Sequence, residues 1–402
     1  MFNNLLEKHQ ITINEIIIDH NLIVNFTQIL KKFNLDLEDI LIVTDQNIYP
    51  QIKNLLPLNI DLVILDNPKP DEESIAKIIT KSCNKKATVG FGSGTINDLC
   101  KISSYRNNIP YIIFASAVSM NGYASKNASI ITSGRKNSLL AHLPIAIYFD
   151  LDLLINSPER MIRAGIGDSI CISTCRFDWL LSHLLLDTYY NVEAFDLVSN
   201  LYQKLLNYDG KINDKEFITL LAKILINSGI SMAISGGSYP ASQSEHLIAH
   251  YLEIKYPKIM EKSLHGEQIA ITSLIIAKMQ EEFLNLLNFQ TKVSDINFNY
   301  FKKIFNEDLA IYFWSEFSSK IINQERSKII NSKLKDFQSL TSKLSRNFMS
   351  HDKILQISNH FSLPQKYCDI GLSEDIYLEA VKNANLIRNR FTILDLFYNM
   401  RR

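Results

Sequence analysis

The stretch Ala87-Thr-Val-Gly-Phe-Gly-Ser-Gly-Thr-Ile-Asn-Asp-Leu-Cys-Lys-Ile-Ser-Ser104 runs from a short strand pattern through a glycine cluster into a helical pattern. Ala87–Gly90 reads as a strand, Gly90–Thr95 as a turn, and Thr95–Ser104 as a helix. Glycines at such a turn let the backbone approach a phosphate closely, and the free N–H groups of the helix start favour an anion. The spacing departs from G-x-G-x-x-G. The residues by themselves leave two readings open: a pyrophosphate cradle, or a tight strand-to-helix turn without a ligand.

Outward from this turn the pattern repeats. Ile40–Val43, Asp61–Leu65 and Tyr111–Phe114 are further apolar, β-branched runs, and Asp71-Glu-Glu-Ser74 opens a helix with acidic residues in its first turn. Strand, helix, strand at this rhythm predicts parallel β-α-β units. Residues 128–149 read as further strands, with Gly134-Arg-Lys136 as a turn. Asp45, just after the first clear strand, suits the ribose hydroxyls of NAD; a helix N-terminal aspartate is the alternative. From Leu151 the period becomes helical and strand signals vanish. The expected architecture is an α/β domain over 1–150 with a parallel Rossmann-like sheet, followed by an all-helical domain over 151–402. The last 70 or so residues carry no readable chemistry.

The 402 residues hold 42 basic and 42 acidic side chains, so no overall field favours nucleic acid or a membrane surface. The start, MFNNLLEKHQ, lacks a signal-type apolar run. Residues 107–125 and 224–244 are uncharged but rich in Pro, Gly, Asn and Ser, and are not expected to span a membrane. Five cysteines, Cys83, Cys100, Cys171, Cys175 and Cys368, lack zinc-ribbon spacing and read as free thiols of a cytoplasmic protein.

Three of the nine histidines fall close together. His246 and His250, four apart, share a helical face. His265 opens the next helical pattern beyond Pro257. Asp168, in Ala164-Gly-Ile-Gly-Asp168, is an acid among apolar and glycine residues. An aspartate with two histidines makes a three-ligand cation site that keeps a position open for substrate or water. Paired surface histidines without a metal are the competing reading.

Four segments carry a resemblance: Gly92-Ser-Gly-Thr-Ile-Asn-Asp98, Ser119-Met-Asn-Gly-Tyr-Ala-Ser125, Ala164-Gly-Ile-Gly-Asp168, and Pro240-Ala-Ser-Gln-Ser-Glu-His246 with His265-Gly-Glu267. In order and spacing the chain resembles the sn-glycerol-1-phosphate dehydrogenases. Their superfamily also holds glycerol dehydrogenase, iron-containing alcohol dehydrogenases and 3-dehydroquinate synthase. The resemblance implies a dehydroquinate synthase-like fold and a cytoplasmic, NAD- or NADP-linked reduction of dihydroxyacetone phosphate that serves phospholipid biosynthesis. It implies that Gly92, Ser93, Gly94, Thr95, Asn97 and Asp98 bind the dinucleotide, with Ala115, Ser116, Ser119 and Ser125 lining it. It assigns Asp168, His246 and His265 to a metal, zinc in most members with Ni2+ or Fe2+ as alternatives. His250 and Asn121 fall beside the substrate. A homo-oligomer is compatible with this reading.

Three departures stand out. The family's Ser-Met-Asp-Gly is Ser119-Met-Asn-Gly122 here, an arginine before Pro-Ala-Ser is Tyr239, and position 172, a fourth ligand in iron-type enzymes, is Ile172. The first two leave room for a glycerol dehydrogenase-like activity on an unphosphorylated polyol. The third argues against the iron-type branch. A 3-dehydroquinate synthase-like cyclase should crowd its site with Lys and Arg, which these segments lack. A non-catalytic nucleotide-binding protein is the remaining alternative. The mechanism expected is a cation polarising a ketose carbonyl while hydride arrives, with His250 or a water supplying the proton.

Overall fold

The computed structural model of the chain describes residues 2–132, 135–346 and 348–400. Its main sheet has six strands, β1 (Glu15–Asp19), β2 (Ile40–Asp45), β3 (Leu62–Leu65), β4 (Ala87–Gly92), β5 (Tyr111–Ala115) and β8 (Ala146–Asp150), in the order β1-β8-β5-β4-β2-β3. Every pairing in it is parallel. β2, β4, β5 and β8 are buried along their whole length, as expected of strands covered on both faces. On one face Phe91 stacks on Phe114 at 4.6 Å, Phe114 stacks on Tyr148 at 4.8 Å, and Phe26 meets both phenylalanines edge-on. Pairs of this kind contribute about 1 kcal/mol each beyond burial. They tie three adjacent strands together.

β1 has no counterpart in the sequence reading. β6 (Asn127–Thr132) and β7 (Arg135–Leu140) form a separate antiparallel pair and do not extend the parallel sheet. Of the expected turn there, Gly134 lies outside the described residues, and Arg135 and Lys136 belong to the backbone of β7. The helix Glu72–Ser82 starts where the acidic first turn places it, with Asp71 accepting from the Ser74 amide.

Beyond Asp150 the described residues form helices, apart from an isolated bridge between Thr291 and Met400. The chain does not divide at residue 150, however. One compact unit is Met1–Ser169 with Asp196–Gly237; the other is Ile170–Phe195 with Ser238–Arg402. The change of period marks where strands stop, not where packing changes. The helix Lys215–Ile234 returns to the sheet unit and packs on the turn Gly122–Ala124 and the helix Leu151–Leu154. It is also the one described helix long and apolar enough to cross a membrane, and 67% of that apolar window is buried in the fold.

Within the sheet unit two helical glycines admit the loop that follows β5. A Cβ on Gly165 would lie 1.8 Å from the Val118 carbonyl oxygen, and one on Gly229 would lie 2.8 Å from the Asn121 oxygen. Both obstacles are backbone, so neither can swing aside. Tyr123 closes the loop by donating to the Ala117 carbonyl at 2.9 Å. Gly165→Ala should therefore destabilise the protein by about 3 kcal/mol through overpacking, read as a lowered denaturant midpoint. An unchanged midpoint would mean that the loop moves freely.

Candidate active site

The glycine cluster divides its labour. A Cβ on Gly90 would meet Ile113 at 2.8 Å and Cys100 at 2.9 Å, and one on Gly92 would meet Ile96 at 2.4 Å. These two glycines let the helix Gly94–Asn107 lie directly on the sheet. Ser93 precedes that helix without capping it through its side chain, which leaves first-turn amides of Gly94 and Thr95 for an anion. Asn97 is fully buried, and the Tyr111 hydroxyl donates to it at 3.5 Å. Asp98 accepts from Asn97 at 3.0 Å and from the Ser129 amide at 2.9 Å, and lies 3.5 Å from the buried ammonium of Lys101. Lys101 in turn donates to the Gly122 and Asn127 carbonyls at 2.9 Å each. Burial pulls its pKa down, and the Asp98 charge opposes that. Asn97 and Asp98 therefore brace the turn and the strand β6.

Ala115 ends β5, and the Ser116 amide donates to the Gly92 carbonyl at 3.0 Å, which carries the pairing one residue past the sheet. Ser119 and Ser125 are half-buried on the following loop; Ser125 Oγ accepts from the Asn127 amide at 3.1 Å. Asp45 ends β2. Its Oδ1 accepts from the amides of Asn47 at 2.8 Å and Ile48 at 3.1 Å, so one carboxylate oxygen caps the next turn.

Asn121 and Asp168 meet. The Asn121 amide donates to Asp168 Oδ2 at 2.9 Å, and the Asn121 side chain donates to Ser228 Oγ at 3.3 Å. Asp168 is buried near the end of the helix Glu159–Ile170. The glycine contacts that fix the loop thus also fix the amide that orients this carboxylate.

The second unit brings His246, His250 and His265 together. His246 and His250 lie on the helix Ser244–Lys255, and His265 opens the helix His265–Leu284. Ring centres are 6.0 Å apart for His246 and His250, 5.2 Å for His246 and His265, and 5.6 Å for His250 and His265. Each ring turns Nδ1 toward a buried glutamate. The distances are 2.8 Å from His246 to Glu245, 3.1 Å from His250 to Glu253 and 3.7 Å from His265 to Glu253. A carboxylate on Nδ1 fixes the tautomer and presents the Nε2 lone pair, the arrangement that orients imidazoles toward a metal. The buried Nδ1 of His265 makes no hydrogen bond among the described residues. This donor set fits a divalent cation. Neither glutamate figured in the sequence reading as a site residue. The signals were present: Glu245 adjoins His246, and Glu253 lies three residues after His250 on the same helical face.

Charge at this cluster follows from burial. Burial pushes the Glu245 carboxyl up, but bonds from His246, the Gln243 amide and Cys175 prevail and hold it down to about 2. Burial presses His250 down to about 3, aided by the nearby Arg388 and His265 and opposed by Glu253. Behind the cluster, Asp178 accepts from the Ser244 amide at 3.3 Å, from Gln280 at 3.3 Å and from the Ile393 amide at 3.2 Å. It pins the start of the histidine helix to two other helices. Tyr239 lies under the Arg390 guanidinium, 4.7 Å from its ring centre, and Arg390 donates to Ser238 Oγ at 3.3 Å and to the Ser242 carbonyl. A guanidinium from the C-terminal segment thus stands over Tyr239.

Residues 17–158 match the family model described as iron-containing alcohol dehydrogenase. A glycerol-1-phosphate dehydrogenase [NAD(P)+] of Pyrococcus abyssi is 33% identical over 271 residues, covering 65% of this chain and 77% of the relative. One from Thermococcus sibiricus is 30% identical over 287 residues, covering 69% and 79%. The chain belongs to the glycerol-1-phosphate dehydrogenase family. As a member of that family it is an NAD(P)-linked oxidoreductase, which sets the non-catalytic reading aside. Solved structures agree on the fold. A probable glycerol dehydrogenase from Sinorhizobium meliloti has a TM-score of 0.61 at 15% identity, covering 96% of this chain and 92% of that one. A sulfoacetaldehyde reductase from Bifidobacterium kashiwanohense in complex with NAD+ has 0.60 at 13%, covering 96% of each. The fold is the dehydroquinate synthase-like fold of the glycerol-1-phosphate dehydrogenase family and the iron-containing alcohol dehydrogenases.

Asp178 supplies a pH test. Burial raises its carboxyl to about 7, against the Ser244, Ile393 and Gln280 bonds and with the Glu245 charge adding to the rise. The unfolded chain holds this proton only to about pH 4. The stabilising contribution of the protonated form is complete below that pH and is lost as pH rises through about 7. The Tm of the parent minus that of Asp178→Asn should fall between pH 5 and 8. A flat difference would contradict the shift.

Proposed function

We propose that this dehydrogenase interconverts dihydroxyacetone phosphate and glycerol 1-phosphate with NAD(P), using a divalent cation, zinc, held by Asp168, His246 and His265. The observation that carries the reading is the set of three imidazoles whose Nδ1 atoms face two buried glutamates. Family membership supports the substrate. The bound cation would supply electrophilic stabilisation of charge on the substrate oxygen, and the nicotinamide would supply or accept hydride.

The chain's own part is positioning and proton transfer. Glu245 and Glu253 aim the rings. The Asn121 amide aims the Asp168 carboxylate. His250, kept neutral by burial, offers Nε2 to the substrate hydroxyl. In alcohol oxidation it takes that proton, and Glu253 on Nδ1 stabilises the cation that results. In reduction it returns the proton to the same oxygen. The first-turn amides after Ser93 receive the pyrophosphate, with Ala115, Ser116, Ser119 and Ser125 alongside the dinucleotide. Asp45 keeps one carboxylate oxygen for the ribose, which favours NAD.

Arg388 supports a phosphorylated substrate. It follows the turn Ala384–Ile387, which packs on the histidine helix. Its charge reaches His250, and burial lowers its own pKa. The charge of Glu316 partly offsets that burial. A partly buried guanidinium beside the proton-transfer residue suits a phosphate.

Removing the cation with a chelator should abolish turnover, and zinc should restore it; full activity in metal-free protein rejects the reading. His265→Ala should lose metal and kcat together. His250→Ala should retain the metal and lower kcat by about 100-fold or more. Arg388→Gln should raise KM for dihydroxyacetone phosphate at least about tenfold, the loss of one charged hydrogen bond, and leave turnover of unphosphorylated dihydroxyacetone unchanged. Equal loss on both ketoses would remove Arg388 from the phosphate. Preference of the parent for the unphosphorylated ketose would instead favour a glycerol dehydrogenase-like activity.

A further inference from the structure

Two buried thiols in the second unit, beside Glu245 and His246, are not used by the proposed chemistry. Cys171 and Cys175 stand one helical turn apart at the start of the helix Ile172–Leu186, with the Cys175 amide bonded to the Cys171 carbonyl at 2.8 Å. They face the first turn of the histidine helix. Cys175 Sγ lies 3.0 Å from Glu245 Oε1, and the same oxygen lies 2.8 Å from His246 Nδ1. One ligand atom from each of Cys171, Cys175, Glu245 and His246 lies within 4.8 Å of all the others. All four side chains are buried, and Ala249 and Ile269 pack against the two thiols.

Two sulfurs, a nitrogen and a carboxylate oxygen are the donors of a closed tetrahedral site. With metal–sulfur bonds near 2.3 Å and metal–nitrogen bonds near 2.0 Å, donor atoms around one cation stand about 3.3–3.8 Å apart. The cluster holds two of these separations at 2.8 and 3.0 Å and all of them within 4.8 Å, so a shift of about 1 Å would seat the donors around an ion. Thiolates select soft cations, and two of them with one carboxylate outweigh a divalent charge, so the ion would be fully compensated in its apolar surroundings. The donor atom of His246 here is Nδ1, on the opposite side of the ring from the Nε2 left for the proposed catalytic cation.

We propose that Cys171, Cys175, Glu245 and His246 Nδ1 form a second metal site that takes a thiophilic cation, separate from the site at Asp168, His246 and His265. Both thiols release their protons on binding. Glu245 and the His246 ring exchange their mutual hydrogen bond for bonds to the ion; with Nε2 on the catalytic cation, the ring would also release its Nδ1 proton and bridge the two ions as an imidazolate. The site itself stands whether or not the assigned substrate is right.

Cd2+ alone is the probe, added to zinc-loaded protein in which the exposed Cys83 and Cys368 are replaced by serine. A thiolate-to-cadmium charge-transfer band should rise and saturate at one cation per chain. Adding Cys171→Ser and Cys175→Ser should abolish the band while one equivalent of zinc remains bound. No band in the first protein, or a band that survives the added substitutions, overturns the proposal. Loss of the zinc equivalent in a folded variant also overturns it, because the cysteines would then belong to the primary site. Should the fourfold variant fail to fold, cadmium-113 resonance on the first protein decides. A shift in the two-thiolate range supports the site, and one in the range of nitrogen and oxygen ligands alone refutes it.

Discussion

The geometry of the histidine cluster rests on two buried carboxylates. Glu245 and Glu253 are among the most enclosed acids of the second unit, where an isolated charge would cost several kcal/mol. Hydrogen bonds offset that cost. Glu245 accepts from His246, Thr174, Cys175 and the Gln243 amide, and Glu253 faces the rings of His250 and His265. These carboxylates decide which nitrogen of the His246 and His250 rings carries the proton. They make His246 and His250 oriented donors, and the reading of His246 as a ligand and His250 as the proton-transfer residue depends on that orientation.

Backbone contact does the equivalent work in the first unit. Gly165 and Gly229 let two helices touch the loop after β5, and Lys101 anchors the same loop from the side of the glycine turn. The Asn121 amide and the Asp168 carboxylate are set by packing of backbone on backbone. That bond does not depend on the side chain at 121, because the donor is the main-chain amide.

Much of this was legible in the sequence. Continuous apolar runs gave away β2, β4 and β5, and the spacing of His246, His250 and His265 anticipated their meeting. β1 escaped because five residues, Glu15–Asp19, at a sheet edge carry too little pattern. The glycines at 90 and 92 left a phosphate cradle and a tight turn both open; their nearest neighbours are Ile113, Cys100 and Ile96, because steric need and ligand approach leave the same mark in a sequence. The unit boundary was misplaced because periodicity reports local conformation, whereas Lys215–Ile234 joins the sheet unit by tertiary packing. Arg388 and Arg390 lie more than 120 residues from the histidines, and nothing local marks them.

The most direct test of the account is the X-ray absorption spectrum of protein loaded with a single equivalent of zinc or cobalt. The account predicts a first shell of imidazole nitrogens and carboxylate oxygen with an exchangeable position and no sulfur. Sulfur in that first equivalent, or fewer than two imidazoles, would contradict it.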